Sequence, residues 1–346
     1  MLGPVTTTAL DPILRGVSRS IYLTLKVAPG CLRSQLGVAY LFCRAADTIA
    51  DTRLLSRENR LESLHIFRGQ FERESPSLDE IRSLGSRTGK AQRIPEEQAL
   101  LRRLEECFEA YGRFCADDQV LVRKLVTTLT RGMEMDLTRF PAEESGKTAA
   151  LESDAELDLY TYHVAGCVGE FWTDLEVAHL RALGHWSLSE MREKGIRFGK
   201  GLQMTNILRD VDRDLGIGRI YFSAERLAAV GLTAEELRAG RSRRKLKPIL
   251  DDYLAVTLEH YRAGWEYTLA IPRQLVRLRL ACAWPLLIGL RTLALIGASP
   301  DPYAPGTIHK VPRPEVKAIL RRSLLRVLSN RRLSALYTEL GGRLLS

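Results

Sequence analysis

The sequence predicts an all-α fold, and two observations carry that prediction. Apolar residues recur three and four apart through most of the chain. No segment sustains the period-two alternation, bounded by turn signals, that a half-buried strand requires. At 346 residues the chain is long enough for one large domain or two ordinary ones. The even spread of helical pattern favours one domain, a single bundle over residues 1–346. A hydrophobic fraction of 45% and a charged fraction of 27% are ordinary for a soluble globular protein.

Bulk composition also excludes some functions. Six cysteines (Cys31, Cys43, Cys107, Cys115, Cys167, Cys282) are scattered without a CxxC pair, so reduced core thiols in a cytosolic protein are expected. The N-terminus lacks the basic start and apolar core of a signal peptide, and no run approaches the eighteen or more apolar residues of a membrane span. The expected location is cytoplasmic. The net charge of +9 does not point to nucleic acid, because the basic residues are dispersed and not interleaved with aromatics. It suits anionic lipid headgroups or anionic substrates better. A monomer or weak dimer is expected.

Residues 1–12 read as a flexible tail. A helix is expected from Ser18 to Lys26, with Ser18 or Ser20 as its N-cap. Pro29-Gly30 breaks the chain, and a second helix carries Leu36, Tyr40, Cys43 and Arg44 into Asp47-Thr48-Ile49-Ala50-Asp51. Between Arg53 and Arg103, punctuated by Pro76, Pro95 and the Gly85 to Gly89 region, a helix, a polar loop around 75–95 and another helix are expected, with little functional content. Glu97 to Arg131 reads as core helices through Leu100, Leu104, Phe108, Tyr111, Leu125 and Leu129. Glu134 and Asp136 just beyond read as surface acids.

Leu157 to Glu176 reads as one long helix with Gly166 and Gly169 inside it. Each glycine costs up to about 1 kcal/mol relative to alanine there. Glycine in such a place lets something come close, either a packed helix or a ligand. His163 has no metal partner at a useful spacing and reads as a packing histidine.

Gln203 to Asp214 reads as one helix, with Met204, Ile207 and Leu208 on its apolar side. Asp210 and Asp214 then stack on one face about 6 Å apart, with Gln203 and Asn206 extending the polar stripe. Two like charges at that spacing repel by a few tenths of a kcal/mol. A hard divalent ion with oxygen ligands relieves this, and Mg²⁺ suits one or two carboxylates plus substrate phosphates. Taken alone, a solvated acidic face beside Arg209 and Arg213 explains the stretch equally well. The repetition decides: Asp47 and Asp51 also stand four apart, with Arg44 just before them. Two such helices facing each other would hold several Mg²⁺ ions and a diphosphate in a four-carboxylate cavity.

Leu215 to Tyr221 reads as a helix C-terminus followed by a turn, not a phosphate loop, because the glycine spacing is wrong. Thr233 and Glu236 read as a capping pair, and Arg238 to Lys247 as a solvated basic loop or lid edge. Pro248 to Leu295 is dominated by apolar and aromatic residues, including Tyr261, Trp265 and Trp284. Val316 to Leu345 reads as a basic amphipathic helix or pair, packed on the body or lying peripherally on a membrane surface. Packing is the favoured reading.

With both acid pairs in view, the chain resembles the squalene and phytoene synthase family of head-to-head prenyl transferases. The resemblance runs from Ser18 to about Thr292. It rests on Ser18-Arg19-Ser20, Asp47 to Asp51, the Tyr160 to Gly169 block and the Gln203 to Tyr221 block, in that order. It implies an isoprenoid-synthase-type bundle around a central hydrophobic cavity, with Mg²⁺ on Asp47, Asp51, Asp210 and Asp214. Tyr160 would lie close to the reacting carbons. Substrate contacts are implied at Ser18, Arg19, Ser20, Tyr40, Arg44, Val164, Gly169, Gln203, Asn206, Arg209, Arg219, Tyr221 and Trp284.

The implied reaction joins two farnesyl diphosphates through a cyclopropyl diphosphate, presqualene diphosphate, and then uses NADPH to give squalene for sterol or hopanoid biosynthesis. The wording around both acid pairs is most like the bacterial squalene synthase branch. Dehydrosqualene and phytoene synthases share every residue used, and non-catalytic assembly relatives exist in the family. The presence of all four aspartates favours an enzyme. Their Asp-x-x-x-Asp spacing, with the Tyr160 block between, disfavours a head-to-tail prenyl transferase or a terpene cyclase. Eukaryotic squalene synthases end in a membrane anchor, and no such anchor is expected here.

Overall fold

The structure is a computed structural model that describes residues 10–18, 22–140, 145–240, 243–299, 301–304, 306–307 and 309–345. Helices dominate it, as the sequence predicts. The chain divides into two compact units: Met1–Leu137 with Phe171–Gly184, and Thr138–Glu170 with His185–Ser346.

The first unit is built around the helix Arg33–Asp51, which buries Leu36, Val38, Leu41, Phe42, Ala45, Ala46 and Ile49 along one side. Phe42 sits in an aromatic cluster, edge-on to Phe71 at 4.9 Å and tilted against Phe108 at 4.7 Å. The helix Arg57–Glu72 starts where Ser56 Oγ accepts from the Asn59 amide, and Leu78–Lys90 starts where Ser77 Oγ accepts from the Glu80 amide.

Three expectations are corrected here. The stretch read as a loop around 75–95 is helical over Leu78–Lys90. Its glycines are not punctuation: a Cβ on Gly85 would lie 2.2 Å from the Leu101 carbonyl oxygen, so Gly85 lets the helix Pro95–Arg102 press against it. The flexible tail does not extend to residue 12, because Leu10 is buried and a helix runs over Asp11–Val17; residues 1–9 lie outside the described residues. Ser18 caps the end of that helix, its amide donating to Leu14 O at 3.0 Å, instead of starting the next helix, which spans Tyr22–Val27.

In the second unit the helix Leu188–Arg209 packs on Lys247–Ala270 and Val276–Ala298. The contact is close because small residues line it. Beside Gly201, the Tyr261 hydroxyl meets Thr205 Oγ1 at 2.7 Å, and a Cβ on Gly289 would lie 2.0 Å from that same hydroxyl. The capping box of Thr233 and Glu236 is present as read.

Val276–Ala298 corrects another expectation, since this helix of 23 residues is long and apolar enough to cross a membrane by length and composition. Most of its apolar surface is buried against protein here, with Leu278, Leu286, Leu287, Leu290 and Leu293 at 0% exposure. Such a helix is the core strut of this unit.

The sheet among the described residues is one parallel pair, Ala149–Leu151 with Arg219–Ser223, with a bulge between Ala150 and Leu151. Three and five residues are too short to show a period. The turn before the second strand needs Gly218 at φ +79°, where a Cβ would also lie 2.4 Å from Lys147 O.

Candidate active site

The helix Arg33–Asp51 places Tyr40, Arg44, Asp47 and Asp51 at intervals of four, three and four, the polar stripe opposite its buried face. Tyr40 Oη donates to Val17 O at 3.1 Å and ties the segment ending in Ser18 to this stripe. Arg44 pairs with Asp47 through one guanidinium nitrogen and with Glu97 through another. Burial, then the charge of Asp51, pushes the Asp47 carboxyl up to about 7 against the pull of Arg44. Each effect has a plain cause: a half-buried carboxylate beside a second one is poorly solvated and repelled, and one arginine shared with Glu97 does not cancel both.

Ser18 Oγ and Arg44 Nε are buried without a hydrogen-bond partner. Each is a buried donor with unused capacity among the described residues. Arg19 and Ser20, the other members of that motif, lie outside the described residues.

The second acid pair differs from expectation. The helix Leu188–Arg209 ends at Arg209, and a new helix, Val211–Gly216, begins after Asp210, whose φ of −100° and ψ of 13° interrupt the regular turn. The amide bonds Asp210 N to Asn206 O and Asp214 N to Asp210 O, both 2.9 Å, still span the break. The two aspartates therefore stay about one turn apart without lying on one straight helix. Arg209 grips Asp210 with two bonds, Nε to Oδ1 at 2.7 Å and Nη2 to Oδ2 at 2.6 Å. Asn206 Nδ2 donates to Gln203 Oε1 at 3.3 Å on the preceding turn. A third aspartate in the stretch, Asp212, is taken by Arg243 Nη1 at 2.6 Å and by the Gly306 amide at 3.3 Å. Arg243, read from sequence as part of a solvated loop, is thus a buried structural partner.

Beyond the second pair, Asp214, Arg219 and Tyr221 line one small cavity with Ile207, Val211 and Leu215. Tyr160 stacks on Tyr221, ring centroids 5.0 Å apart and 27° between planes, and donates to its hydroxyl at 3.3 Å. Phe140 meets Tyr221 edge-on at 5.2 Å, and the Arg219 guanidinium lies 6.0 Å from the Phe140 ring. Asp154 joins the two segments that carry the tyrosines. It accepts from Ser223 Oγ (3.0 Å), Tyr253 Oη (2.7 Å) and Arg226 Nε (2.7 Å), anchoring the helix Asp154–Thr161 to the strand Arg219–Ser223.

The long helix expected from Leu157 is interrupted by a π turn over Tyr162–Gly166, which contains Val164. Such turns are frequent at functional sites. The local cause here is close packing on Leu188–Arg209. A Cβ on Gly169 would lie 1.8 Å from Gly195 O, and one on Gly199 would lie 2.1 Å from Ala165 O. At Gly169 the close neighbour is therefore a helix backbone. Trp284 Nε1 donates to Ser323 Oγ at 2.9 Å, so its indole is fixed from the C-terminal helices. Glu134 accepts from Arg68 Nη1 at 2.7 Å and pairs with His65 Nε2 at 3.0 Å, the surface role expected of it. Among the described residues, no group of three or more His, Cys, Asp or Glu side chains is arranged to hold a metal.

Against known proteins, the squalene/phytoene synthase family model matches residues 14–317. The chain belongs to that family. Its members are prenyltransferases that join prenyl diphosphates head to head. Presqualene diphosphate synthase of Rhodopseudomonas palustris is 30% identical over 261 residues, 75% of this chain and 77% of that protein. A bifunctional lycopene cyclase/phytoene synthase of Arthroderma gypseum is 29% identical over 68% of this chain, which spans only 38% of that longer protein. Among solved structures, a ligand complex of TcSQS aligns with a TM-score of 0.71 at 22% identity, covering 98% of both chains. A dehydrosqualene synthase aligns at 0.62 and 20% identity over 93% of this chain and 95% of its own. These likenesses establish the fold.

Seen as a member of the squalene/phytoene synthase family, the chain carries residues that the sequence reading missed. Glu97 and Phe140 contact predicted residues, Asp154 ties together the elements that carry Tyr160 and Tyr221, and Arg243 holds Asp212 between the second acid pair. None had a local signal, because each acts across 31 to 81 residues of chain, Glu97 for example on Arg44 and Arg243 on Asp212.

Proposed function

We propose that the chain is a Mg²⁺-dependent squalene synthase that condenses two farnesyl diphosphates to presqualene diphosphate and reduces this to squalene with NADPH. The observation that carries the reading is the recurrence of one arrangement in both units: an Asp-x-x-x-Asp pair with an arginine bonded to its first aspartate, Arg44 on Asp47 and Arg209 on Asp210.

Breaking an allylic carbon–oxygen bond puts positive charge on carbon and adds negative charge to the departing diphosphate. The donor sets fit Mg²⁺ as a partner of that diphosphate. Each offers two carboxylates and no closed cage, which is how Mg²⁺ binds together with substrate phosphates. When bound, the ion supplies positive charge to the leaving oxygens. Asp47 with Asp51, and Asp210 with Asp214, would each hold such an ion. Arg44 and Arg219 are the candidates for donating to the diphosphate, and Ser18 Oγ is a further buried donor. The faces of Tyr160 and Tyr221 suit a passing carbocation, since an aromatic ring attracts a cation over its face. No residue of this chain is assigned to NADPH.

A second reading, release of presqualene diphosphate without reduction, is favoured by the 30% identical relative that bears that name. Purified protein with farnesyl diphosphate and Mg²⁺, with and without NADPH, separates the readings by gas chromatography–mass spectrometry of the hydrocarbons and liquid chromatography–mass spectrometry of the diphosphates. Squalene formed only with NADPH supports the proposal, and Asp47→Ala or Asp210→Ala should abolish it. Presqualene diphosphate under both conditions selects the second reading, and dehydrosqualene moves the chain to the carotenoid branch. No turnover of farnesyl or geranylgeranyl diphosphate overturns catalysis and leaves an assembly role.

A further inference from the structure

The C-terminal helices Arg313–Leu324 and Asn330–Gly341 pack on the second unit, as the sequence reading favoured, burying Ile319, Leu333, Leu336, Tyr337 and Leu340. The connection between them does the opposite with its leucines. Leu324, Leu325 and Leu328 are 52%, 77% and 61% exposed, and they are neighbours, whereas the chain's other large exposed apolar residues are scattered singly. Solvated leucines in a cluster mark an interaction surface more often than isolated ones do.

Two further observations say what that surface meets. First, the cluster is held rigidly. Arg279, 0% exposed on Val276–Ala298, donates from Nε to Val327 O (3.0 Å) and from Nη2 to Asn330 Oδ1 (2.7 Å), and reaches Leu269 O and Ile271 O with Nη1. A buried guanidinium without a carboxylate is costly. Here four oxygen acceptors satisfy it: one, Val327 O, belongs to the connection and another, Asn330 Oδ1, to the first residue of the helix after it. Val327, 2% exposed, is drawn inward between the outward leucines. Second, the segment Arg321–Arg332 carries five arginines and no acid. Arg322 is paired with Glu339, but Arg321, Arg331 and Arg332, which flank the leucines in sequence, are exposed.

We propose that Leu324, Leu325 and Leu328 form a preformed tip that inserts into the headgroup region of an anionic bilayer, with Arg321, Arg331 and Arg332 on the lipid phosphates. A tip of leucines flanked by arginines matches the charge and apolarity of that surface, where buried apolar area and attraction to anionic lipid add. A second copy of this chain would bring the same positive charge against itself, which disfavours a homodimer through this tip.

The test is flotation of the purified full chain with vesicles of phosphatidylcholine alone or phosphatidylcholine with phosphatidylglycerol. The wild type should float with the anionic vesicles and stay unbound with the neutral ones. Leu324→Ser/Leu325→Ser/Leu328→Ser should lower the bound fraction at least tenfold while leaving helical circular dichroism unchanged, because all three side chains are outside the core. Arg321→Gln/Arg331→Gln/Arg332→Gln should also weaken binding. As a check that does not rest on loss, Leu325→Trp should add a blue-shifted emission with anionic vesicles only. Failure of the wild type to float, equal binding by the leucine variant, or an unshifted emission overturns the proposal. So does light scattering that finds a wild-type dimer dispersed by the leucine substitutions, which would assign the tip to a second copy. None of these readouts depends on turnover.

Discussion

Tyr160 and Tyr221 lie face to face, 5.0 Å between centroids, and share a hydrogen bond of 3.3 Å. Both are almost fully buried, at 5% and 8% exposure. Sixty-one residues separate them, so their meeting depends on the Asp154 anchor between helix and strand. If the rings steady a carbocation, the ring matters more than the hydroxyl. Tyr160→Phe should then keep turnover of farnesyl diphosphate within about tenfold. Tyr160→Ala should lose on the order of 30-fold, the equivalent of about 2 kcal/mol of desolvated cation–π attraction. A steady-state assay on both variants checks this. Equal and large losses in both would instead assign the phenol hydrogen a role in moving a proton.

The same pair shows what the sequence could and could not reveal. Asp47/Asp51 and the Gln203 to Asp214 stretch are local patterns, legible because a helix converts a spacing of four into a shared face. The break at Asp210 was not legible, since its neighbours are ordinary helix formers and the amide bonds span it. Gly85 and Gly89 looked like loop signals because a glycine's close neighbour belongs to another helix and leaves no mark nearby in sequence. Arg279 inside an apolar run gave no hint of its burial for the same reason: its four acceptors lie 8 to 51 residues away.

Gly169 gives a prediction about packing. With its Cβ position 1.8 Å from Gly195 O, alanine there forces two helix backbones apart. The clash is with backbone, so relief requires a shift of helix backbone and not a rotamer change. Gly169→Ala should cost about 1–3 kcal/mol, the range for overpacking a tight interior. Thermal unfolding followed by circular dichroism measures it. Gly112→Ala, where nothing lies within 4 Å of the added Cβ, is the matched control and should be neutral or slightly stabilising. Equal melting temperatures for the two variants would mean that the helices are not in backbone contact.

His260 gives a prediction about pH. It sits on Lys247–Ala270 with Nδ1 buried and without a hydrogen-bond partner. Burial, then the charges of Arg197 and Lys200, push its pKa down to about 4 against a weaker pull from Asp158. The imidazole therefore stays neutral in the folded protein. In the unfolded chain it titrates near 6.5. Between those values the unfolded state binds a proton that the folded state does not, so stability rises with pH across this window. The stabilising share is fully present above about pH 6.5 and is lost as pH falls toward 4. Full expression of the shift would amount to about 3 kcal/mol, and the partial exposure of the ring reduces that to about 1–2 kcal/mol. Urea unfolding at pH 7.5 and pH 4.5 should show this loss in the wild type on top of the carboxylate contribution. His260→Gln, which does not titrate, should be less stable than the wild type at pH 7.5 or equal to it, yet lose about 1–2 kcal/mol less on acidification. Parallel pH profiles for the two proteins would show that His260 is protonated alike in the folded and unfolded chains, and that water reaches Nδ1 in the fold.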